Sequence, residues 1–237
     1  MIEKKEDLVI KHQRLTINKF KAKFKQVKAK GWVASKRKGP TGVGQTLEQL
    51  LGIKENNIAL PDLGKVELKA HRIGSSSMIT LFTFNRKAWK MNPLAAIKKY
   101  GTRDENGRLG MYFTMSRTPN SMGLLLYVDE KTISVRHVSG EIVAEWQLEA
   151  LAKRFMQKTP GLVLVSAFSE MRGDTEWFKY DRAQLLTGTS SGIIRNQFLS
   201  DNVQFDIRMD RKATKNELRY LQKSDWLQWS FKDWIEI

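Results

Sequence analysis

The segment that most constrains this chain is LPDLGKVELK, which ends at Lys69. Its apolar residues Val66 and Leu68 alternate with Glu67 and Lys69. A strand that buries the two apolar side chains therefore places the two charged ones together on its opposite face. Four residues separate Asp62 from Glu67. Two carboxylates and an ammonium at one point suit a divalent metal beside a cation that activates water or holds phosphate. The alternative is a solvated strand face.

The charge of the chain indicates a polyanionic partner. Its 237 residues include 41 Lys and Arg against 25 Asp and Glu, which gives a net charge of +16. This balance favours nucleic acid, because cations that neutralise phosphates release condensed counterions. A basic protein with no nucleic-acid role is the alternative. An anionic membrane surface is disfavoured, because no basic amphipathic helix carries a strong continuous apolar face.

Scarce residue types exclude several chemistries. The chain has no cysteine, which removes disulfides, cysteine-ligated zinc and thiol catalysis. With three histidines, a multi-histidine zinc site is not expected. There is no apolar run of about 18 residues and no signal-like N-terminus. We therefore expect a soluble, cytoplasmic protein with no membrane partner.

The order of helical and strand patterns predicts a mixed α/β fold. Helical periods are found over residues 1–31, 45–51, 92–100, 148–158 and 190–199. Strand patterns are found over residues 66–70, 78–84, 123–128, 132–138, 142–147, 162–168 and 203–209. No clear linker separates domains, and we divide the chain into parts over 1–115 and 116–237 that can also count as one domain.

A glycine-rich stretch, GPTGVGQT at residues 39–46, offers a competing interpretation. It differs by one residue from the phosphate-binding loop of nucleotide hydrolases. Gln45 stands where that loop needs a lysine to reach the phosphates, and a basic, polar stretch precedes Gly39 in place of a buried strand. An NTPase is therefore disfavoured.

Charged residues around the first segment could complete a DNA-cleaving site. Glu48, on the helix upstream, could supply a third carboxylate, unless it is an ordinary exposed glutamate. His71 shares the strand face of Glu67 and Lys69 and could contact DNA, although a histidine there is more often structural. A basic loop precedes the helix and is expected to contact DNA phosphates, unless it is merely solvated: Lys36, Arg37 and Lys38.

The order of these motifs is similar to that of one enzyme family. The arrangement Asp62…Glu67-Leu68-Lys69 is that of nucleases of the PD-(D/E)xK type. It follows the run KRKGPTGVGQTLEQLL and the pair Asn56-Asn57, and it precedes Leu81-Phe82-Thr83. Together these residues resemble the MvaI/BcnI family of type II restriction endonucleases, which is related to the mismatch-repair nickase MutH. The resemblance is dense over residues 31–84 and thinner but collinear at 162–170, 180–186 and 203–208.

The resemblance implies a MutH-like, two-lobed α/β architecture: a PD-(D/E)xK nuclease core with a mixed central sheet flanked by helices. It implies a monomeric, Mg²⁺-dependent endonuclease, with Mn²⁺ able to substitute, that cuts double-stranded DNA at short CC-x-GG-like sites. The catalytic strand and basic loop then lie in the part over 1–115, and a DNA-recognition lobe lies in the part over 116–237. A protective DNA methyltransferase is expected as its genetic partner.

The same resemblance assigns roles by position. Asp62 and Glu67 would be metal ligands, Lys69 the catalytic lysine and Glu48 the upstream acid. In the expected mechanism the carbonyl of Leu68 joins the two carboxylates in holding one or two Mg²⁺ ions. Lys69 then orients the water or stabilises charge on the phosphate, and hydrolysis leaves a 5′-phosphate.

The C-terminal part departs from the family pattern. Family members carry a His-Asp-(His/Arg)-Gly…Arg stretch there, whereas this chain runs from Asp210 to Trp229 without a histidine. The recognition sequence is therefore left open. Thr41 of the basic loop, Arg208 and Arg211 are further expected DNA contacts. A MutH-like nicking endonuclease that needs partner proteins, and a non-catalytic DNA-binding protein, are the alternative functions.

Overall fold

The computed structural model describes residues 16–53, 66–75, 78–83, 88–210, 214–220 and 233–236. Within these ranges the helices are α1 (Ile17–Ala29), α2 (Gly42–Leu51), α3 (Pro93–Tyr100), α4 (Leu148–Lys158) and α5 (Ser191–Leu199). The strands are β1 (Trp32–Ala34), β2 (Val66–Arg72), β3 (Ile79–Thr83), β4 (Thr102–Arg103), β5 (Leu109–Met115), β6 (Leu124–Val128), β7 (Thr132–His137), β8 (Ile142–Gln147), β9 (Gly161–Arg172), β10 (Thr175–Thr187), β11 (Val203–Asp210), β12 (Thr214–Tyr220) and β13 (Asp233–Glu236). The order is mixed α/β, as the sequence predicts.

The strands form three sheets. The first has the order β1-β10-β9-β2, with β13 also paired to β10. The second has the order β3-β12-β11-β5-β4, and the third is the meander β6-β7-β8. The first and second sheets both contain strands from either side of residue 115, so the chain crosses between them repeatedly. The division into parts at that residue stays a prediction.

The centre of the first sheet is a long antiparallel hairpin of β9 and β10. The two strands have 12 and 13 residues and pair from Arg172 and Thr175 to Gly161 and Thr187. Gly173 has a φ of 58° in the connecting turn, a left-handed conformation that glycine adopts without strain. β2 joins β9 in parallel, so the strand that carries Glu67 and Lys69 lies at the edge of this hairpin.

Helices α1 and α2 cover one face of the first sheet. Phe20, Phe24 and Val27 lie on one stripe of α1 and are buried, because residues four and three apart share a helix face. They pack with α2 residues and with Leu68 and Phe178 of the sheet. Thr16 caps α1 by accepting a hydrogen bond from the Lys19 amide at 3.3 Å.

The opposite face of the first sheet belongs to a second, larger core. Leu162, Leu164 and Leu186 pack there with residues of the other two sheets and of α3, α4 and α5. The inner half of the β9–β10 hairpin is therefore a middle layer that is buried on both faces, whereas β2 lies at its edge. No helix among the described residues is long and apolar enough to cross a membrane.

The structure departs from the sequence predictions in the strands of the hairpin. The strand expected over 162–168 runs on to Arg172, and β10 was not predicted at all. The cause is the sequence of β10, TEWFKYDRAQLLT, in which charged residues interrupt the apolar alternation. The helix expected over 1–31 is found from Ile17 to Ala29, and residues 1–15 lie outside the described ranges.

Candidate functional site

Glu67 and Lys69 form an ion pair on β2. The Lys69 ammonium lies 2.8 Å from the Glu67 carboxylate, and the two side chains are 29% and 17% exposed. Between them Leu68 is 4% exposed and faces the core under α1 and α2. The alternation predicted from the sequence therefore exists, and the charged pair faces away from that core.

His71 continues the face that Glu67 and Lys69 occupy, but it is buried. Its Nε2 lies 2.8 Å from the hydroxyl of Ser166, which faces it from β9. Burial lowers the pKa of His71 to about 4, and the charge of Arg182 acts in the same direction. A backbone hydrogen bond at Arg72 partly offsets both. His71 is thus held neutral beside an internal partner, and its contact with DNA stays a prediction.

Glu48 lies on α2, the helix that packs against β2. Glu48 is half-buried. The pKa of the Tyr180 hydroxyl is raised mainly by burial, and the negative charge of Glu48 also raises it. That hydroxyl donates to the carbonyl of Val43 at 2.8 Å and so joins β10 to the first turn of α2. Glu48 is thus on the helix that packs against the Leu68 side of β2, and its catalytic role stays a prediction.

The basic loop is fixed to the sheet by Arg72, a residue that sequence reasoning missed. Arg72 donates to the carbonyls of Pro40 and Gly39 at 3.0 and 3.1 Å. The same guanidinium binds both carboxylate oxygens of Glu176 at 2.6 and 2.7 Å and lies over the ring of Phe178. The strand was predicted over residues 66–70, and the structure extends it to Arg72. The partner of Arg72, Glu176, is 104 residues away.

Short hydrogen bonds shape the rest of the loop. The hydroxyl of Ser35 donates to the carbonyl of Arg37 at 2.6 Å, and the Lys36 amide donates to Thr46 at 3.0 Å. Gly42 is required here, because a Cβ would lie 2.5 Å from the Arg37 carbonyl oxygen. The three predicted phosphate contacts, Lys36, Arg37 and Lys38, line an open groove of about 280 Å³ with Met171 and residues 174–176. Thr41 is exposed at the start of α2.

Arg208 is held in place by a buried carboxylate on its own strand. Asp206 is fully buried, and it accepts hydrogen bonds from Arg208 at 2.7 and 3.1 Å and from the Thr114 hydroxyl at 2.8 Å. The Arg208 side chain is 38% exposed. Two neighbours on the same face of a strand can form such a pair, so the spacing Asp-x-Arg was a readable signal for Asp206. A guanidinium fixed in this way has lost much of its conformational freedom before binding.

Two of the expected site residues, Asp62 and Arg211, lie outside the described residues. Among the described residues no group of three His, Cys, Asp or Glu side chains is placed to hold a metal ion. Glu67 does offer the oxygen donors that Mg²⁺ and Ca²⁺ prefer, on a face that is not closed by the core under α1 and α2. The donor chemistry of the described part of the site therefore fits a hard divalent cation.

Two solved structures share the fold of this chain. The chain is similar to a solved structure titled "Restriction endonuclease MvaI-cognate DNA substrate complex", with a TM-score of 0.76 and 23% identity over 92% of this chain and 97% of that one. It is also similar to "Restriction endonuclease MvaI in the absence of DNA", with a TM-score of 0.54 and 23% identity over 96% and 100%. No curated protein sequence matches it. The fold is that of a restriction endonuclease.

A family model makes the identification narrower. The model of the MvaI/BcnI restriction endonuclease family matches residues 21–225, and the chain belongs to that family. It is therefore a type II restriction endonuclease, a site-specific deoxyribonuclease that acts on DNA. Enzymes of this kind generally depend on a divalent metal. The family resemblance expected from the motifs is confirmed.

Proposed function

We propose that this enzyme is a Mg²⁺-dependent type II endonuclease whose catalytic residues are Asp62, Glu67 and Lys69, with Glu48 as an accessory acid. The observation that supports this most directly is the ion pair between Glu67 and Lys69 on the strand face opposite Leu68. A carboxylate and an ammonium held within 2.8 Å can serve a metal ion and a phosphate at the same point.

The residues divide the chemistry between them. Asp62, Glu67 and the carbonyl of Leu68 would hold the metal. When bound, Mg²⁺ supplies Lewis-acid stabilisation of the phosphate and lowers the pKa of water. The Lys69 ammonium orients the attacking water and stabilises the negative charge that grows on the phosphate oxygens. The water oxygen bonds to phosphorus, the 3′-oxygen leaves with a proton, and the products are a 5′-phosphate and a 3′-hydroxyl.

DNA binding and base reading fall to other parts of the chain. Lys36, Arg37, Lys38 and Thr41 would contact backbone phosphates with a strength that falls steeply as salt rises. Arg208, oriented by Asp206, would pair with guanine in the major groove, with Arg211 and His71 as further contacts. We propose a short CC-x-GG-like site, a monomeric enzyme in the cytoplasm and a protective methyltransferase as genetic partner.

Plasmid cleavage tests the proposal against its alternatives. Supercoiled DNA is incubated with the enzyme and with Mg²⁺, Mn²⁺, Ca²⁺ or EDTA. Discrete linear fragments with Mg²⁺ and none with EDTA are expected, and end sequencing should give 5′-phosphates at one short site. Nicking that appears only with added repair proteins would indicate a MutH-like enzyme. Binding without any cleavage across several plasmids would leave only a DNA-binding role.

Matched variants test the site itself. Glu67→Gln and Asp62→Ala should reduce cleavage by at least about 10³-fold while DNA binding persists, because catalysis loses a charged ligand and binding does not. Glu170→Gln is the control, since Glu170 is an exposed carboxylate in an ion pair with Arg172 in the same sheet. Full activity of Glu67→Gln would contradict the site assignment.

A further inference from the structure

The positive charge of this enzyme is concentrated in one stretch of the described chain. The residues from Thr16 to Leu47 include nine Lys or Arg and no Asp or Glu. Seven ion pairs join cations to acids where both residues are described, and none of these seven involves a residue of α1. The field of these lysines is therefore not cancelled by an acid on their own segment.

Helix α1 arranges part of this charge in a row. Lys21, Lys25 and Lys28 are spaced four and three residues apart, so they lie along one side of the helix. Lys25 and Lys28 are exposed and Lys21 is half-buried. Lys23 points elsewhere, because its ammonium donates to the carbonyl of Leu51 and closes the end of α2. The row of Lys21, Lys25 and Lys28 spans about 10 Å of helix.

This lysine row belongs to the helical layer on one face of the first sheet, where α1 packs against α2 and β10. The helix buries Phe20, Phe24 and Val27 on the sheet face that Leu68 occupies. Glu67 and Lys69 project from the other face of β2. The first sheet therefore lies between α1 and a duplex seated at the ion pair.

We propose that the lysine row on α1 binds a second segment of duplex DNA while the first occupies the catalytic face. Adjacent phosphates of one DNA strand advance about 3.4 Å along the axis, so a row of this length can meet about three of them. The contact would be to the backbone and independent of sequence. On long DNA it would allow the enzyme to pass between neighbouring segments. The inference rests on the activity of the family.

A bridging assay tests the second surface directly. A random-sequence duplex is fixed to beads, the enzyme is added in EDTA so that nothing is cleaved, and capture of a second, fluorescent duplex is measured. Wild type should capture it. The variant Lys21→Gln/Lys25→Gln/Lys28→Gln should capture the second duplex at least about tenfold more weakly. The slope of the logarithm of its capture constant against the logarithm of salt concentration should be shallower by about 2.7.

The matched control removes three positive charges from lysines outside α1. Lys98, Lys131 and Lys153 are exposed lysines on α3, on the β6–β7 turn and on α4. Their triple Gln variant should bridge as well as wild type. Circular dichroism should show both variants folded, because an exposed Lys→Gln change on a helix has little effect on propensity.

Several outcomes would overturn the inference. They are failure of the wild type to capture a second duplex, equal losses in the two triple variants, and undiminished capture by the α1 variant. The last would mean that bridging comes from two copies of the enzyme, each using its catalytic face. Because the assay needs no cleavage, it succeeds or fails independently of the proposed metal site. Where a cut site has been mapped, the α1 variant should cleave a short duplex at the wild-type rate.

Discussion

Arg72 binds Glu176 through two hydrogen bonds of 2.6 and 2.7 Å and thereby joins β2 to β10 across β9. Two further donors of the same guanidinium reach the backbone carbonyls of Gly39 and Pro40. The strand that carries Glu67 and Lys69 and the loop that carries the basic residues are thus tied to one side chain. A planar fork of five donors can make all of these contacts at once, which an ammonium cannot.

Replacement of Arg72 by Lys should therefore loosen the basic loop. We expect a loss of about 2 kcal/mol in the free energy of unfolding, since both members of the pair are mostly buried, and weaker DNA binding. Urea unfolding and a DNA titration measure the two effects. Arg108→Lys is the control. The Arg108 side chain, which pairs with Asp104, is 63% exposed, so this substitution should lower the free energy of unfolding by less than about 0.5 kcal/mol. Equal losses in the two variants would contradict the role of Arg72.

His71 should make stability depend on pH. Burial lowers the pKa of His71 in the folded state to about 4, whereas the unfolded value is 6.5. Between these values the unfolded chain binds the proton more readily, so this contribution to stability is fully present above pH 6.5 and is lost as pH falls towards 4. Its full size is on the order of 3 kcal/mol.

Urea unfolding between pH 7 and pH 4 measures this effect. The variant His71→Gln cannot take up the proton but can still bond to Ser166, so its unfolding free energy should fall less over that range than that of the wild type. His137→Gln, which changes a histidine paired with Ser139 in a surface turn, is the control. Identical pH dependence in wild type and His71→Gln would show that the burial of His71 does not govern acid stability.

Asp206 should act through Arg208 on recognition. In Asp206→Asn the guanidinium loses its charged partner, so Arg208 should adopt more conformations and discriminate less well between the cognate site and sites with one changed base pair. A reduction of about tenfold in that discrimination corresponds to the loss of one well-placed base contact. Cleavage rates on cognate and single-mismatch duplexes measure it. Thr114→Val removes only the neutral partner of Asp206 and should reduce discrimination less. A larger loss of discrimination in Thr114→Val than in Asp206→Asn would contradict the role of Asp206.

Tyr180 should stabilise the junction between β10 and α2. Its ring is 1% exposed and its hydroxyl donates to the carbonyl of Val43. Tyr180→Phe should lower the free energy of unfolding by about 1 kcal/mol, the net value of one such hydrogen bond. Tyr127→Phe, at a ring 43% exposed, should change it by less than about 0.5 kcal/mol. If Tyr180→Phe left the free energy of unfolding unchanged, the hydroxyl would be hydrogen-bonded equally well in the unfolded chain.

Some of the site was predictable because it is local. The alternation of Val66, Glu67, Leu68 and Lys69 places the charged pair on one face by the geometry of a strand alone, and the structure has the two groups 2.8 Å apart. The short helices with clear caps were equally readable: Asn92 before Pro93 and Ser190 before α5 each cap a helix that was predicted.

Other parts depended on partners far away in the sequence. β10 has an irregular pattern because its outer half lies near the exposed tip of the hairpin and its inner half is buried between two cores, so no single period describes it. Ser166, the partner of His71, is 95 residues away from it. No local rule of composition or spacing identifies such a partner.

The amino-acid sequence by itself determined the family, the charged pair of β2 and the basic character of the chain, because motifs, strand alternation and net charge are local or additive properties. Tertiary structure alone decided which face of the sheet each charge occupies. Packing of Phe20, Phe24 and Val27 against the Leu68 face puts α1 and its lysines on the side of the first sheet opposite Glu67 and Lys69. Burial of an apolar stripe fixes where a helix docks, and the charges on its other side follow.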